Sequence, residues 1–260
     1  MAIQEDKFNI TLKVIQPIDK NVLIKPLCIQ GMPGIANAGK GALDYISKQL
    51  GAKKVMEIFF SDFPSHVKIT PDGCLDASKI ELLHCRDKSL KRDVILLTSD
   101  SQPTSNIGMN VLSKYIANTL KDLGVTMIIS LAARPITSLK RSPKVYVTAT
   151  SQKLVESFSQ LENVNVLTDG IVIGMNGIVP VLSNSIHNID GIILLSESCK
   201  MLNHDIAASY ALIKVLKANP GLDIDLSALE REAKLQWETT GKITDKKMRH
   251  KDEKKPEYIS

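Results

Sequence analysis

The sequence predicts an α/β layered fold on a mostly parallel central sheet, and three observations carry that prediction. Short apolar runs of strand length alternate with segments of helical period along most of the chain. Ile, Leu and Val carry the apolar load, and aromatics are only 4% of 260 residues, which suits buried parallel strands better than an aromatic-rich sandwich. Hydrophobic residues at 43% and charged residues at 23% are enough for an extended core.

The elements follow in order. Residues 10–17 read as a short strand that stops at Pro17. Residues 22–30 are extended around Pro26 and run into Gly31. A glycine turn over 31–36 opens a helix near Asn37, a good N-cap residue type, that runs to Gln49 or Leu50. Ala38, Ala42, Tyr45, Ile46 and Leu50 are spaced for its buried face, and Gly51 stops it. Residues 55–60 are a strand and 61–64 a turn. Residues 67–70 and Leu75 flank Pro71-Asp72-Gly73, where Pro presets φ and Gly accepts a positive φ. Strands over 80–85 and 94–97 follow, joined by a polar, hairpin-like stretch. With strands but no helix between 55 and 97, that part of the sheet is expected to be antiparallel or mixed.

Residues 105–123 have the clearest helical period, with Ile107, Val111, Leu112, Tyr115, Ile116, Thr119 and Leu123 on one stripe. Gly124 ends this helix, and 125–131 is a continuous apolar run of buried-strand type. A strand over 145–149, a helix over 151–161 and a strand over 164–167 come next. Residues 170–174 and 191–195 read as two more apolar strands, with a Gly174-Met175-Asn176-Gly177 turn between them. Asp205 caps a helix to Ala218, closed by Asn219-Pro220-Gly221, and Asp225 caps a last helix to about Glu238. The organisation expected is a single α/β domain over residues 1–240 and a flexible basic tail over 241–260.

Several function classes are disfavoured. No apolar run reaches the ~18 residues of a membrane span. Residues 1–7 lack the basic start and apolar segment of a signal peptide, so a cytoplasmic protein with no membrane partner is expected. Cys28, Cys74, Cys85 and Cys199 form no C-x-x-C, and His84 and Cys85 point to opposite faces of a strand. Reduced thiols and no metal site are expected. Net charge is +5, and residues 241–260 hold seven Lys/Arg against four Asp/Glu. The acidic residues are interspersed and no aromatic lies among the bases, so nucleic-acid binding is not expected.

Gly34-Ile35-Ala36-Asn37-Ala38-Gly39-Lys40-Gly41 fits the phosphate-loop pattern G-x-x-x-x-G-K, then puts Gly41 where the Mg²⁺-binding Ser or Thr belongs. Pro33 also removes a backbone N–H from a loop that would have to offer them. A glycine-rich strand-to-helix turn is the preferred reading. The polar groups at other strand ends are Asp100, Arg134, Asn176 and Glu197. Among them Glu197, Asp100 and Arg134 are the candidate catalytic residues, Glu197 first because it directly follows an apolar strand. Each has a structural reading too: Asp100 as a turn residue, Arg134 solvated or ion-paired, Asn176 in a left-handed turn. No G-x-S-x-G, H-E-x-x-H or paired metal ligands occur, and no cofactor is expected.

Three stretches together carry a family resemblance. They are Gly31-Met32-Pro33-Gly34-Ile35-Ala36-Asn37-Ala38-Gly39 followed by Leu43-Asp44-Tyr45-Ile46; Gly170-Ile171-Val172-Ile173-Gly174-Met175-Asn176-Gly177; and Gly191-Ile192-Ile193-Leu194-Leu195-Ser196-Glu197-Ser198 followed by Asp205-Ile206-Ala207-Ala208. Their order and spacing resemble the proteasome assembly chaperone 2 family, in its archaeal branch. Ser61-Asp62-Phe63-Pro64 and Val145-Tyr146-Val147-Thr148-Ala149-Thr150 add to the likeness. The resemblance implies a three-layer αβα sandwich similar to the nucleoside phosphorylase/hydrolase class. It also implies homo-oligomers and a non-enzymatic chaperone that binds proteasome subunits or the core particle. The candidate binding residues are then Gly31, Gly34, Asn37, Gly39, Gly174, Asn176, Gly177 and Tyr258. Some members of the family end in a hydrophobic-Tyr-any tail that docks on the proteasome α-ring. This chain departs from that pattern: Tyr258 is third from the end, and Glu257 stands in the hydrophobic place. The alternative reading is an enzyme of nucleoside or phosphate-ester chemistry with an anion site at the glycine turn 31–39.

Overall fold

The computed structural model of the chain describes residues 8–87 and 90–241. Its strands are β1 (Ile10–Val14), β2 (Leu27–Gly31), β3 (Lys53–Phe60), β4 (Val67–Ile69), β5 (Leu75–Ala77), β6 (Ile80–Asp87), β7 (Arg92–Ser99), β8 (Met127–Ile136), β9 (Val145–Ala149), β10 (Val164–Val166) and β11 (Asp190–Cys199). Its helices are α1 (Ala38–Leu50), α2 (Asn106–Asp122), α3 (Gln152–Ser159), α4 (Met175–His187), α5 (Ile206–Ala218) and α6 (Ser227–Gln236).

Nine strands form one mixed sheet in the order β1-β3-β6-β7-β2-β8-β11-β9-β10, and β4 pairs with β5 in a separate hairpin. The centre, β7-β2-β8-β11, is parallel. The β3-β6-β7 side is antiparallel, as strands joined without helices require. Strands β2, β3, β7, β8 and β11 all run the same way, so their carboxyl ends share one edge of the sheet.

The near-unbroken apolar runs of the central strands are explained by cover on both faces. Leu27, Ile29, Leu96, Ile129, Leu131, Ile192 and Leu194 face one layer, where Leu43 and Ile46 of α1 and Leu212, Ile213 and Leu216 of α5 pack on them. The alternate residues Cys28, Ile95, Leu97 and Ile128 meet Leu112, Ile116 and Leu120 of α2 and Met175 and Val179 of α4 on the other face. The architecture is the three-layer sandwich.

Five local expectations are corrected. Residues 170–174 are not a strand, and Gly174–Gly177 is not a turn: Gly174 precedes α4, and the apolar segment after it is that helix. Gly177 reads as part of a turn in the sequence, and α4 also carries Pro180 inside it. Gly177 sits inside the helix because Val172 packs where its Cβ would be, 2.9 Å from the Val172 Cγ1. Asn176 is therefore helical, not left-handed. Asn37 does stand just before α1, but with φ 47° and no capping hydrogen bond from its side chain. Ile107, placed on the buried stripe of α2, is exposed, because it lies in the first turn and beyond the sheet edge. Asp205 caps α5 as expected, its carboxylate accepting from the Ala208 N–H at 3.0 Å. Among the described residues no helix is long and apolar enough to cross a membrane, and no group of three His, Cys, Asp or Glu is placed to hold a metal ion. The basic segment and Tyr258 lie outside the described residues.

Candidate functional site: the carboxyl edge of the sheet

The glycine turn leaves β2 at this edge and is packed shut. A Cβ on Gly39 would meet the Leu131 carbonyl oxygen, with the carbonyl carbon at 2.7 Å and the Ala132 nitrogen at 3.3 Å. A Cβ on Gly31 would lie 2.6 Å from the Gly39 oxygen. These two glycines let the start of α1 press onto β2 and β8. From outside, the Asp205 N–H donates to the Ala36 oxygen at 2.9 Å, and the Asn37 amide donates to the Asn203 oxygen at 3.3 Å. Only Gly34 has room, its nearest neighbour being Asn176 Nδ2 at 4.0 Å.

Lys40, the residue in the phosphate-loop lysine position, is taken by carboxylates. Its ammonium is 2.9 Å from Asp44 and 3.3 Å from Asp100. Burial alone would lower its pKa, but those two carboxylates outweigh burial and hold it above its ordinary value. Lys68, on β4, reaches the other oxygen of Asp100 at 2.8 Å. Burial would raise the Asp100 pKa, and the two lysines instead hold it below its ordinary value. The residues bound a cleft of about 460 Å³ whose walls include Asn37, Lys40, Asp44, His66, Lys68 and Asp100. Lys68 and His66 come from the hairpin segment and carried no signal in the sequence.

Two amides staple the glycine turn to α4. Asn176 Oδ1 accepts from the Met32 N–H at 3.0 Å, and its Nδ2 donates to the Met32 oxygen at 3.3 Å. Gln102 accepts from the Met175 N–H at 2.8 Å and donates to the Pro33 oxygen at 2.6 Å. Gln102 was not foreseen. Its side chain also occupies the space a Cβ on Gly174 would enter, at 2.8 Å. Beside this staple lies a second hollow of about 390 Å³, walled by Gly34, Ala132, Pro135, Ile171, Ile173 and Leu195.

Glu197 and Arg134 are register partners on β11 and β8, yet they line neither hollow. Glu197 is buried, 3.0 Å from the Lys140 ammonium and 3.0 Å from the Lys144 N–H. Burial would raise its pKa, and these donors hold it below the ordinary value. Arg134 lies 4.7 Å over the Tyr146 ring. So Asp100 and Asn176 flank the glycine turn, Glu197 and Arg134 do not, and each of the four is engaged by a protein partner. Among the described residues, the arrangement holds a shape rather than gathering a nucleophile, a base and an anion cradle around one point.

A sheet covered on both faces, with a closed glycine turn and ion-paired groups along its carboxyl edge, defines the class as a three-layer αβα protein. Within that class the model of the PAC2 family matches residues 28–242, and the chain belongs to the PAC2 family. The uncharacterised protein MJ1210 of Methanocaldococcus jannaschii is 26% identical over 223 residues, which are 86% of this chain and 83% of that one. The crystal structure of Pyrococcus furiosus PbaB, an archaeal proteasome activator, is similar with a TM-score of 0.80 and 27% identity, over 90% of this chain and 98% of that chain. Pyrococcus furiosus PbaA, an archaeal homologue of proteasome-assembly chaperone, shares the fold with a TM-score of 0.70 and 20% identity, over 93% and 95% of the two chains.

Proposed function

We propose that this protein is a non-enzymatic, cytoplasmic factor of the proteasome assembly chaperone type, which binds proteasome subunits or the core particle. The observation that carries the reading is the likeness to PbaB over nearly that whole chain, within a shared family. The site chemistry supports it: Asp100 and Glu197 are held in internal ion pairs, and Arg134 lies over the Tyr146 ring. Size exclusion with mass detection tests it, mixing the full-length chain with α subunits and with assembled core particle of the same organism. A shared peak is expected with at least one of them at micromolar concentration. Separate elution from both contradicts the reading. The free chain, run alone, reads out the homo-oligomer that the family resemblance implies.

A further inference from the structure

We propose that the carboxyl edge of the sheet is the docking face, and that it seats on a proteasome subunit through the β4–β5 hairpin and the 170–174 loop, without needing the segment beyond Gly241. This rests on the proteasome-binding reading above. The four most exposed large apolar side chains among the described residues are Ile171 at 89%, Ile173 at 85%, Leu75 at 72% and Ile69 at 71%. All four stand at this edge. The hairpin leaves β3 at its carboxyl end, and Ile171 and Ile173 wall the hollow beside the glycine turn. Val67, Ile107 and Met201, also exposed, belong to the same rim, before the hairpin turn, at the start of α2 and just after β11.

Both projections are fixed from beneath. In the hairpin, Val67 opposes Ala77 and Ile69 opposes Leu75, so these share one face. The other face carries Lys68 and Asp76, ion-paired to Asp100 and Lys79 of the body. The polar side latches the hairpin down and the apolar side faces outward. The loop follows the same plan. Val172 turns inward against Gly177 and the cluster of Ala132, Ile193 and Leu195, while its neighbours Ile171 and Ile173 turn out. A surface already held in shape loses little freedom on binding.

Area and charge identify the occupant. Burying one aliphatic side chain is worth about 1.5–3 kcal/mol at ~25 cal/mol per Å², which corresponds to roughly 60–120 Å² each. Seven such side chains offer about 400–800 Å², reaching the ~800 Å² per partner of a standard stable interface. In the cleft between the hairpin and α1, Lys40 and Lys68 are balanced by Asp44 and Asp100. A charge-balanced cleft beside exposed apolar projections suits neither a polyanion nor an acidic peptide. It fits a folded protein with an apolar, weakly charged seat.

The test uses immobilised core particle and immobilised α subunits. The analytes are the full chain, the chain ended after Gly241, and the full-length variants Ile171→Ser/Ile173→Ser and Ile69→Ser/Leu75→Ser. Val22→Ser, exposed at the opposite end of the sheet, serves as the control. Each rim pair is expected to weaken binding at least tenfold with unchanged melting temperature, while the truncation and the control stay within about threefold. Binding by both rim variants at full strength overturns the docking face and leaves the proteasome reading standing. No binding by the unaltered chain overturns both. Rim variants that turn an oligomer into a monomer, with proteasome affinity unchanged, assign the face to contacts between copies and overturn the proposal.

Discussion

Gly39→Ala is expected to destabilise the fold by about 2–3 kcal/mol, although helix propensity alone predicts a gain of ~1 kcal/mol. Residue 39 lies in the first turn of α1, where alanine is the better helix former. The new methyl, however, would be driven into the Leu131 peptide of β8, with the carbonyl carbon at 2.7 Å. The obstacle is main chain inside a nine-stranded sheet, so β8 cannot step back without breaking ladder hydrogen bonds, and α1 cannot without losing its packing on the sheet. Overpacking typically costs about 1–3 kcal/mol and more where main chain is struck; about 3–4 kcal/mol here, less the propensity gain, leaves the net loss. Thermal unfolding should show a drop of roughly 5–10 °C. Gly34→Ala is the matched control from the same turn. Its Cβ would have no neighbour closer than 4.0 Å, and a change within about 0.5 kcal/mol is expected. Equal effects at the two positions would contradict the assignment of Gly39 to packing.

Asp93→Ala is expected to cost about 3–5 kcal/mol. The Asp93 side chain is fully buried at the start of β7. Its carboxylate accepts from the Ile24 N–H at 2.6 Å and from Arg86 at 3.0 and 3.2 Å, and pairs with His84 Nε2 at 2.8 Å. It ties the segment before β2 to the β6–β7 hairpin, and alanine would leave those donors facing a hole. The group also predicts a pH dependence. Burial would raise its pKa, but Arg86, the Ile24 N–H and His84 together hold it below the ordinary carboxylate range. A folded-state pKa below the unfolded value means the stabilisation is full above about pH 4 and is lost as pH falls through the folded value. Denaturant titrations between pH 6 and pH 3 should therefore show a shallower acid limb for the variant than for the natural chain. Parallel limbs would show that other carboxylates carry the acid response.

Most of the layered architecture is legible in the sequence, because the helices α1, α2 and α5 show clear period, with capping residues at α2 and α5 and glycine stops after α1 and α2, and the central strands are apolar runs. The miss at 170–177 has a physical cause. An apolar run without a clear period fits a buried strand or a buried helix, and glycines there point to a break. Only the packed structure shows that Gly177 is small to admit Val172 rather than to turn the chain. The position of the candidate site was legible in the sequence, and the partners of its side chains were not. The sequence points to the glycine turn, Asp100 and Asn176, all of which lie at the carboxyl edge. What those side chains do is decided by partners far away in the chain: Lys68 for Asp100, Met32 for Asn176, the Leu131 peptide for Gly39. Residue types and local spacing carry no record of such pairings. The outward isoleucines were hidden for the same reason, since Ile171 and Ile173 look like core until the sheet beside them is seen to be full.

The central claim is that this edge of the sheet seats on the proteasome. Hydrogen–deuterium exchange of the full-length chain, with and without saturating core particle or α subunits, tests it most directly. The account predicts slowed exchange in peptides covering 67–77 and 170–174, with no change in the β1 and α6 peptides. Protection confined to peptides beyond residue 241, or to the opposite end of the sheet, would contradict it.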